Sequence, residues 1–170
     1  NGELTIDSGV VADNTARGAN GNAYGGGIAA INAPVTLAGS MLSGNTARIE
    51  GVADTGSSFS GSAYGGGIYA NISNFGSSLS VPLTVTDSHL DNNAARVVAT
   101  GTAASFNGNA YGGGVYASLG SASVYGGDVT LSAPVALTRS SVSGNEARAE
   151  GAGGSFTSRM EDRFRRRFDQ

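Results

Sequence analysis

Residues 83–96 read LTVTDSHLDNNAAR, and the same fourteen-residue pattern recurs without a gap at three other places. It appears as LTIDSGVVADNTAR at 4–17, as VTLAGSMLSGNTAR at 35–48 and as VALTRSSVSGNEAR at 135–148. Apolar and polar residues alternate at its start, as they do in a half-buried strand, and Ser, Gly and Asn follow where turns are expected. Because so short a unit cannot bury an apolar face alone, the recurrence predicts strands that stack on one another.

The aligned copies share several columns of equivalent residues. Two aliphatic columns are expected to form interior ladders: Leu4, Val35, Leu83 and Val135, and beside them Ile6, Leu37, Val85 and Leu137. An Asn-x-Ala-Arg motif provides an asparagine column: Asn14, Asn45, Asn93 and Asn145. Asparagine tolerates left-handed backbone at corners, so we expect these amides to bond between successive coils.

A second motif, Ala-Tyr-Gly-Gly-Gly followed by Ile or Val, lies at 23–28, 63–68 and 110–115. The intervals between motifs vary while the columns stay fixed, as in stacked coils joined by loops of free length. Because the glycines recur at the same column, they are expected at corners where the coils pack closely. They are not a phosphate-binding loop, since no Lys-Ser/Thr follows them.

The predicted fold is therefore all-β: a right-handed parallel β-helix of about four coils with variable loops over residues 1–157. Its expected units lie near 3–34, 35–82, 83–134 and 135–157. Two narrower coils per long repeat is the alternative, because Val124-Tyr125 and Val129-Thr130-Leu131 could add strands.

Composition supports a folded repeat and limits the chemistry. Among 170 residues, 28 are Gly and only 14% are charged, and the regular apolar columns argue against disorder. There is no Cys, which excludes disulfides and thiolate metal sites. All ten basic residues are Arg, and the chain before the last thirteen residues is mildly acidic, which disfavours nucleic-acid binding. No apolar run is long enough for a transmembrane helix, and the chain starts inside a repeat, so we expect a segment of a longer protein.

The motifs resemble those of the chlamydial polymorphic outer-membrane proteins and related autotransporter-like β-helix adhesins. Gly26-Gly27-Ile28, Gly66-Gly67-Ile68 and Gly113-Gly114-Val115 are similar to that family's Gly-Gly-Ala-(Ile/Leu/Val), with Gly in place of Ala. Val11-x-x-Asn14, Leu42-x-x-Asn45, Leu90-x-x-Asn93 and Val142-x-x-Asn145 are similar to its Phe-x-x-Asn, with an aliphatic residue in place of Phe. The resemblance covers residues 3–150 and implies a cell-surface or secreted location with an adhesive or structural role.

Two outward columns are candidate ligand-binding sites. The first is Arg17, Arg48, Arg96 and Arg148, which would form an anion-binding stripe for sulfated or acidic glycans. We favour the other interpretation, an exposed edge neutralised by Glu50, Glu150 and Asp91, since exposed ion pairs are common and weak. The second is Tyr24, Tyr64 and Tyr111, which would stack on sugar rings or, as we favour, on one another.

No catalytic or metal-ligating residues are expected. His89 is the single histidine, no Ser-His-Asp set recurs, and the glycine segments lack the Asp of calcium-binding repeats. The scattered carboxylates count against a polysaccharide lyase or hydrolase, which is kept as the alternative together with a glycan-binding module. The Thr5, Thr36 and Thr84 column of an ice-binding surface is broken by Ala136. We expect a non-catalytic scaffold without a cofactor, whose partners are neighbouring repeats, a second copy end to end, or cell-surface glycans or proteins.

The last thirteen residues, Ser158–Gln170, read SRMEDRFRRRFDQ and differ from the repeats. Ser158 and Glu161 form a capping box, and an apolar stripe predicts an amphipathic helix. The stripe consists of Phe156, Met160, Phe164 and Phe168. We expect this helix to cap the coil that contains Leu137 and Val142, because an open β-helix end invites aggregation. The helical linker of autotransporters and an appended peptide similar to the synthetic ALFA epitope helix are the alternatives.

Overall fold

A computed structural model of the protein describes residues 2–73, 79–101, 105–119, 131–132, 134–152 and 155–161, and every regular element in these ranges is a β-strand. The first coil consists of β1 Leu4–Asp7, β2 Val10–Ala12, β3 Thr15–Gly18, β4 Gly21–Tyr24 and β5 Ile28–Ile31. The second consists of β6 Val35–Ala38, β7 Met41–Ser43, β8 Thr46–Ala53, β9 Ser58–Tyr64, β10 Ile68–Ile72 and β11 Leu79–Ser80. The third consists of β12 Leu83–Thr86, β13 His89–Asp91, β14 Ala94–Gly101, β15 Ser105–Tyr111, β16 Val115–Leu119 and β17 Leu131–Ser132. The fourth consists of β18 Val135–Thr138, β19 Ser141–Ser143, β20 Glu146–Ala152 and β21 Ser155–Glu161.

Equivalent strands of successive coils pair in parallel and in register. The stacks run β1-β6-β12-β18, β2-β7-β13-β19, β3-β8-β14-β20, β4-β9-β15-β21, β5-β10-β16 and β11-β17. Arg48, for example, is the register partner of Arg17 on one side and of Arg96 on the other. The parallel β-helix of about four coils is thus confirmed. Among the described strands, each repeat contributes one strand to each stack. The alternative of two narrower coils per long repeat rests on Val124-Tyr125 and Val129-Thr130, which lie outside the described residues.

The two aliphatic columns lie inside the stack. Register pairing joins Leu4, Val35, Leu83 and Val135, and likewise Ile6, Leu37, Val85 and Leu137. Leu37 and Val85, in the two middle coils, are fully buried, whereas Leu4 in the first coil is 37% exposed. Alternating side chains of each strand point in and out, so every second residue reaches this core.

The interior is divided into two lobes by a narrow waist. One apolar cluster surrounds Ile49, Val97, Phe59 and Phe106, and the other surrounds Leu37, Val85, Ile68 and Leu90. Between the lobes, the Gly-Gly-Gly segment of each coil lies against the asparagine corner of the next coil. A Cβ atom at Gly66 would collide with the backbone of Ala94, and one at Gly67 would lie 3.1 Å from Asn93 Cγ.

The first glycine of each triplet has a different role from the other two. Gly65 has a φ of 61°, in the left-handed region where a glycine carries no Cβ penalty. The triple glycines are therefore a turn followed by a close contact between coils.

The expected helix does not begin at Ser158. Residues Ser155–Glu161 form strand β21, in which Phe156 pairs with Phe106 and Met160 pairs with Ala110. A short helix is marginal on its own, whereas β15 offers a complete ladder of backbone partners, so strand pairing prevails over the local helical pattern. Phe156 and Met160 are therefore strand residues and not part of a helical cap. Phe164 and Phe168 lie outside the described residues.

The fourth coil carries the concavity over which the cap is expected. Its lining includes Val115, Val135, Leu137 and Val142. The cap, the linker and the appended peptide remain predictions for residues 162–170.

Candidate functional site

The asparagine column forms a hydrogen-bond ladder at the waist. Asn93 Oδ1 accepts the backbone N–H of Asn45 at 3.1 Å and its Nδ2 at 3.0 Å. In return, Asn93 Nδ2 donates to the carbonyl oxygen of Leu42 at 3.0 Å. Asn145 repeats this set on Asn93 and Leu90, and Asn45 repeats it on Asn14 and Val11. The amide oxygens that a calcium ion would need already accept N–H donors from the preceding coil.

A second buried ladder, of serines, was not predicted from the sequence. Ser88 Oγ accepts the backbone N–H of Ser40 at 2.9 Å, and Ser140 Oγ accepts that of Ser88 at 3.1 Å. Ser40 and Ser88 are essentially unexposed. The signal was available, because Gly9, Ser40, Ser88 and Ser140 each stand five residues before an asparagine of the ladder.

The arginine column forms an exposed stripe with three glutamates, called the Arg stripe below. Its members are Arg17, Arg48, Arg96 and Arg148 with Glu50, Glu146 and Glu150. Glu50 pairs with both Arg17 and Arg48. Glu146 pairs with Arg96 at 2.7 Å and with Arg148 at 3.6 Å. Glu150 pairs with Arg148.

These ion pairs neutralise most of the positive charge of the arginine column. Glu50 and Glu150 pair with arginines of the column, as expected. Asp91 instead lies on β13, in a different stack, where it accepts a hydrogen bond from Ser143 Oγ at 2.6 Å. Glu146 takes its place. The hydrogen bond from Arg48 holds the pKa of Glu50 below its ordinary value of 4.5, with partial desolvation opposing it.

Val98 interrupts the acidic row of the stripe. Its register partners on the neighbouring coils are Glu50 and Glu150, so the third coil has an apolar residue where the second and fourth have a carboxylate. The shorter side chain leaves a groove, called the Val98 groove below. Its lining consists of Arg48, Arg96, Val97, Val98, Arg148 and Glu150. A second depression, lined among others by Val52, Val98 and Thr100, adjoins it.

The tyrosine column stacks on itself and on a second column. Tyr64 stacks on Tyr24 with ring centroids 5.2 Å apart, and on Tyr111 at 4.9 Å. Tyr69 and Tyr116 form a parallel pair at 5.8 Å, and Tyr116 also contacts Tyr64 at 5.1 Å. Other rings thus already cover the faces of Tyr64. This is the arrangement in which the tyrosines stack on one another and not on a sugar.

Burial in this cluster affects the phenols. Desolvation raises the pKa of Tyr64 and Tyr69 above the ordinary value of 10.0. Tyr69 and Tyr116 were missed by sequence reasoning, although each directly follows Gly-Gly-Gly-(Ile/Val). The first coil has Ala29 at that position, which hid the column.

His89 has a partner on the neighbouring strand. Its Nδ1 lies 2.7 Å from Ser141 Oγ, and the two residues are register partners on the outside of the stack. Within the described ranges, no three His, Asp or Glu side chains are grouped so that they could hold a metal ion.

Comparison with known proteins gives no relative. No protein-family model matches the chain, and neither a curated protein nor a solved structure is significantly similar to it. In the part of the chain that the structure describes, no helix has the length and apolar character needed to cross a membrane.

Proposed function

We propose that this chain is a non-catalytic structural and adhesive segment of a bacterial cell-surface or secreted repeat protein. The observation that carries the proposal is the asparagine ladder. The polar residue that recurs in every coil bonds to the next coil, with Asn45 and Asn93 completely buried. A polar side chain whose bonds are all internal serves the stack and not a substrate.

Sequence resemblance supports the extracellular part of the proposal. Two motifs are similar to those of polymorphic outer-membrane proteins: Gly-Gly-(Ile/Val) and aliphatic-x-x-Asn. The residues of these two motifs form the two sides of the waist. Such a segment would be flanked by further repeats of a longer protein or associate end to end with a second copy. Its exposed columns would contact host or cell-surface glycans or proteins.

Labelling of intact cells tests the proposed location. Antibodies raised against the purified chain are applied to intact and to permeabilised cells of the bacterium that encodes it. We expect intact cells to be labelled, and brief treatment with an external protease to remove the label. Labelling that requires permeabilisation contradicts the proposal.

The alternative is a carbohydrate-active enzyme of the polysaccharide lyase or hydrolase type. The Arg stripe is the feature that favours contact with an acidic glycan, because it alternates guanidinium and carboxylate groups on one outer face. We expect no release of unsaturated or reducing ends from polyuronates, with or without calcium. Release that disappears in Glu146→Gln or Glu150→Gln would establish the enzyme instead.

A further inference from the structure

We infer that the Val98 groove binds one oxyanion, a sulfate or carboxylate group carried by an acidic polysaccharide. The inference deepens the adhesive part of the proposed function and rests on it. The carrying observation is a missing carboxylate at a defined register position. In the second and fourth coils, an arginine is followed two residues later by a glutamate that pairs with it: Arg48 with Glu50, and Arg148 with Glu150. In the third coil, Arg96 is followed by Val98.

The charges of the stripe leave one guanidinium in excess. Four arginines share three glutamates: Glu50 pairs with Arg17 and Arg48, Glu146 with Arg96 and Arg148, and Glu150 with Arg148. Parallel, in-register strands lie about 4.8 Å apart, so the arginine side chains of successive coils are close neighbours of like charge. An anion above Val98 would relieve this repulsion as a glutamate at position 98 would.

The groove has the donors that an oxyanion requires. Arginine presents five N–H donors in a planar fork, and each carboxylate partner here occupies only part of them. Arg96 is 44% and Arg148 58% exposed at the side chain, so an anion could reach both guanidinium groups without a large desolvation cost. Glu150, the carboxylate in the lining, is paired with Arg148.

The floor of the groove favours a sugar over a bare ion. Val98 forms the floor, and the adjoining depression adds Val52, which is 76% exposed, and Thr100. An acidic sugar can place its charged group among the arginines and the apolar face of its ring on the valines. The overall charge of −3 opposes anion binding, so the attraction is local and is weakened by salt.

Substitution at position 98 gives a direct test. Binding of a heparin-derived octasaccharide, of an oligogalacturonate and of inorganic sulfate is measured by titration calorimetry at low and at physiological salt. Neutral dextran serves as the uncharged control. Val98→Glu supplies the missing carboxylate from the chain itself, and Glu50 and Glu150 show that the fold accepts glutamate at this register position. Asn107→Glu adds the same charge at an exposed position of the same coil, on strand β15 in a different stack from the arginines.

We expect at least one acidic oligosaccharide to bind and dextran not to bind. Val98→Glu and Arg96→Gln should each weaken binding about tenfold, which corresponds to the loss of one charge-assisted interaction, whereas Asn107→Glu should change it about twofold or less. The oligosaccharide that binds distinguishes sulfate from carboxylate as the recognised group.

Two results overturn the inference. One is the absence of binding by every acidic probe at low salt. The other is an equal loss in Val98→Glu and Asn107→Glu, which would show general charge attraction. Either result leaves the proposed scaffold function intact, because surface labelling tests that function separately.

Discussion

Replacing Asn93 should destabilise the fold most, because its amide oxygen and its amide nitrogen both form hydrogen bonds to other coils. Its Oδ1 accepts two N–H groups of Asn45, and its Nδ2 reaches Leu42 and Asn145. In Asn93→Ala these buried groups lose their partner, so we expect a loss of about 1–3 kcal/mol in the free energy of unfolding for each group left unsatisfied. Denaturant unfolding measures the change. Asn20→Ala, in an exposed turn, is the control, and equal midpoints for the two variants would contradict the ladder.

The ion pairs of Glu50 make the stability of the stack depend on pH. Arg48 and Arg17 hold the pKa of Glu50 below its ordinary value of 4.5 in the folded state. A lowered pKa means that the ion pairs contribute stability above the ordinary value and that this contribution is lost as the pH falls through the lowered one. We expect the melting temperature to fall less between neutral and acid pH in Glu50→Gln than in the unchanged chain. Identical pH profiles would show that these exposed pairs add nothing to stability.

The contribution of an aliphatic ladder residue to stability depends on the coil in which that residue lies. Leu83 and Leu4 occupy the same column, but Leu83 is 2% exposed and Leu4 is 37% exposed. We expect Leu83→Ala to cost about 2–5 kcal/mol through lost burial and a residual cavity, and Leu4→Ala clearly less. Urea unfolding of both variants checks this. A larger effect at Leu4 would mean that the first coil, and not the middle of the stack, controls stability.

The elements also show what the sequence could predict. The strand stacks followed from columns at fixed spacing, because register is set wherever one face is buried. Strand β21 was mistaken for a helix since Ser158 and Glu161 form a good local capping pattern, and local pattern does not register the partner strand β15. The sequence contained the counter-signal, Ser155-Phe156, which matches Ser58-Phe59 and Ser105-Phe106.

The candidate sites were only partly predictable for a related reason. The Arg and Tyr columns could be aligned from their motifs, but some of their partners lie on other coils. Glu146 stands two residues before its own arginine, and its bond to Arg96 depends on the stacking of two coils. The two lobes and the glycine waist could not be derived from residue spacing, because the close contact between Gly66 and Ala94 joins two different coils.

Across the whole molecule, stability should grow with the number of coils. Each coil contacts only its neighbours, so stability approximates a sum of terms for coils and for interfaces. Residues 83–134 span one complete repeat, preceded by Pro82 and ending at Pro134. A second copy of them placed after Pro134 therefore keeps every column in register. We expect this longer chain to unfold in one transition at a higher melting temperature, with each added kcal/mol worth about 2–4 °C for a chain of this size.

The control for the added coil is a copy without Leu83, which is one residue shorter. A shift of one residue turns the inward side chains of its first strand outward, because side chains alternate along a strand. The shortened copy should therefore lower the melting temperature or add a separate transition. If both insertions behave alike, the coils do not stack through their columns, and the additive view of this solenoid fails.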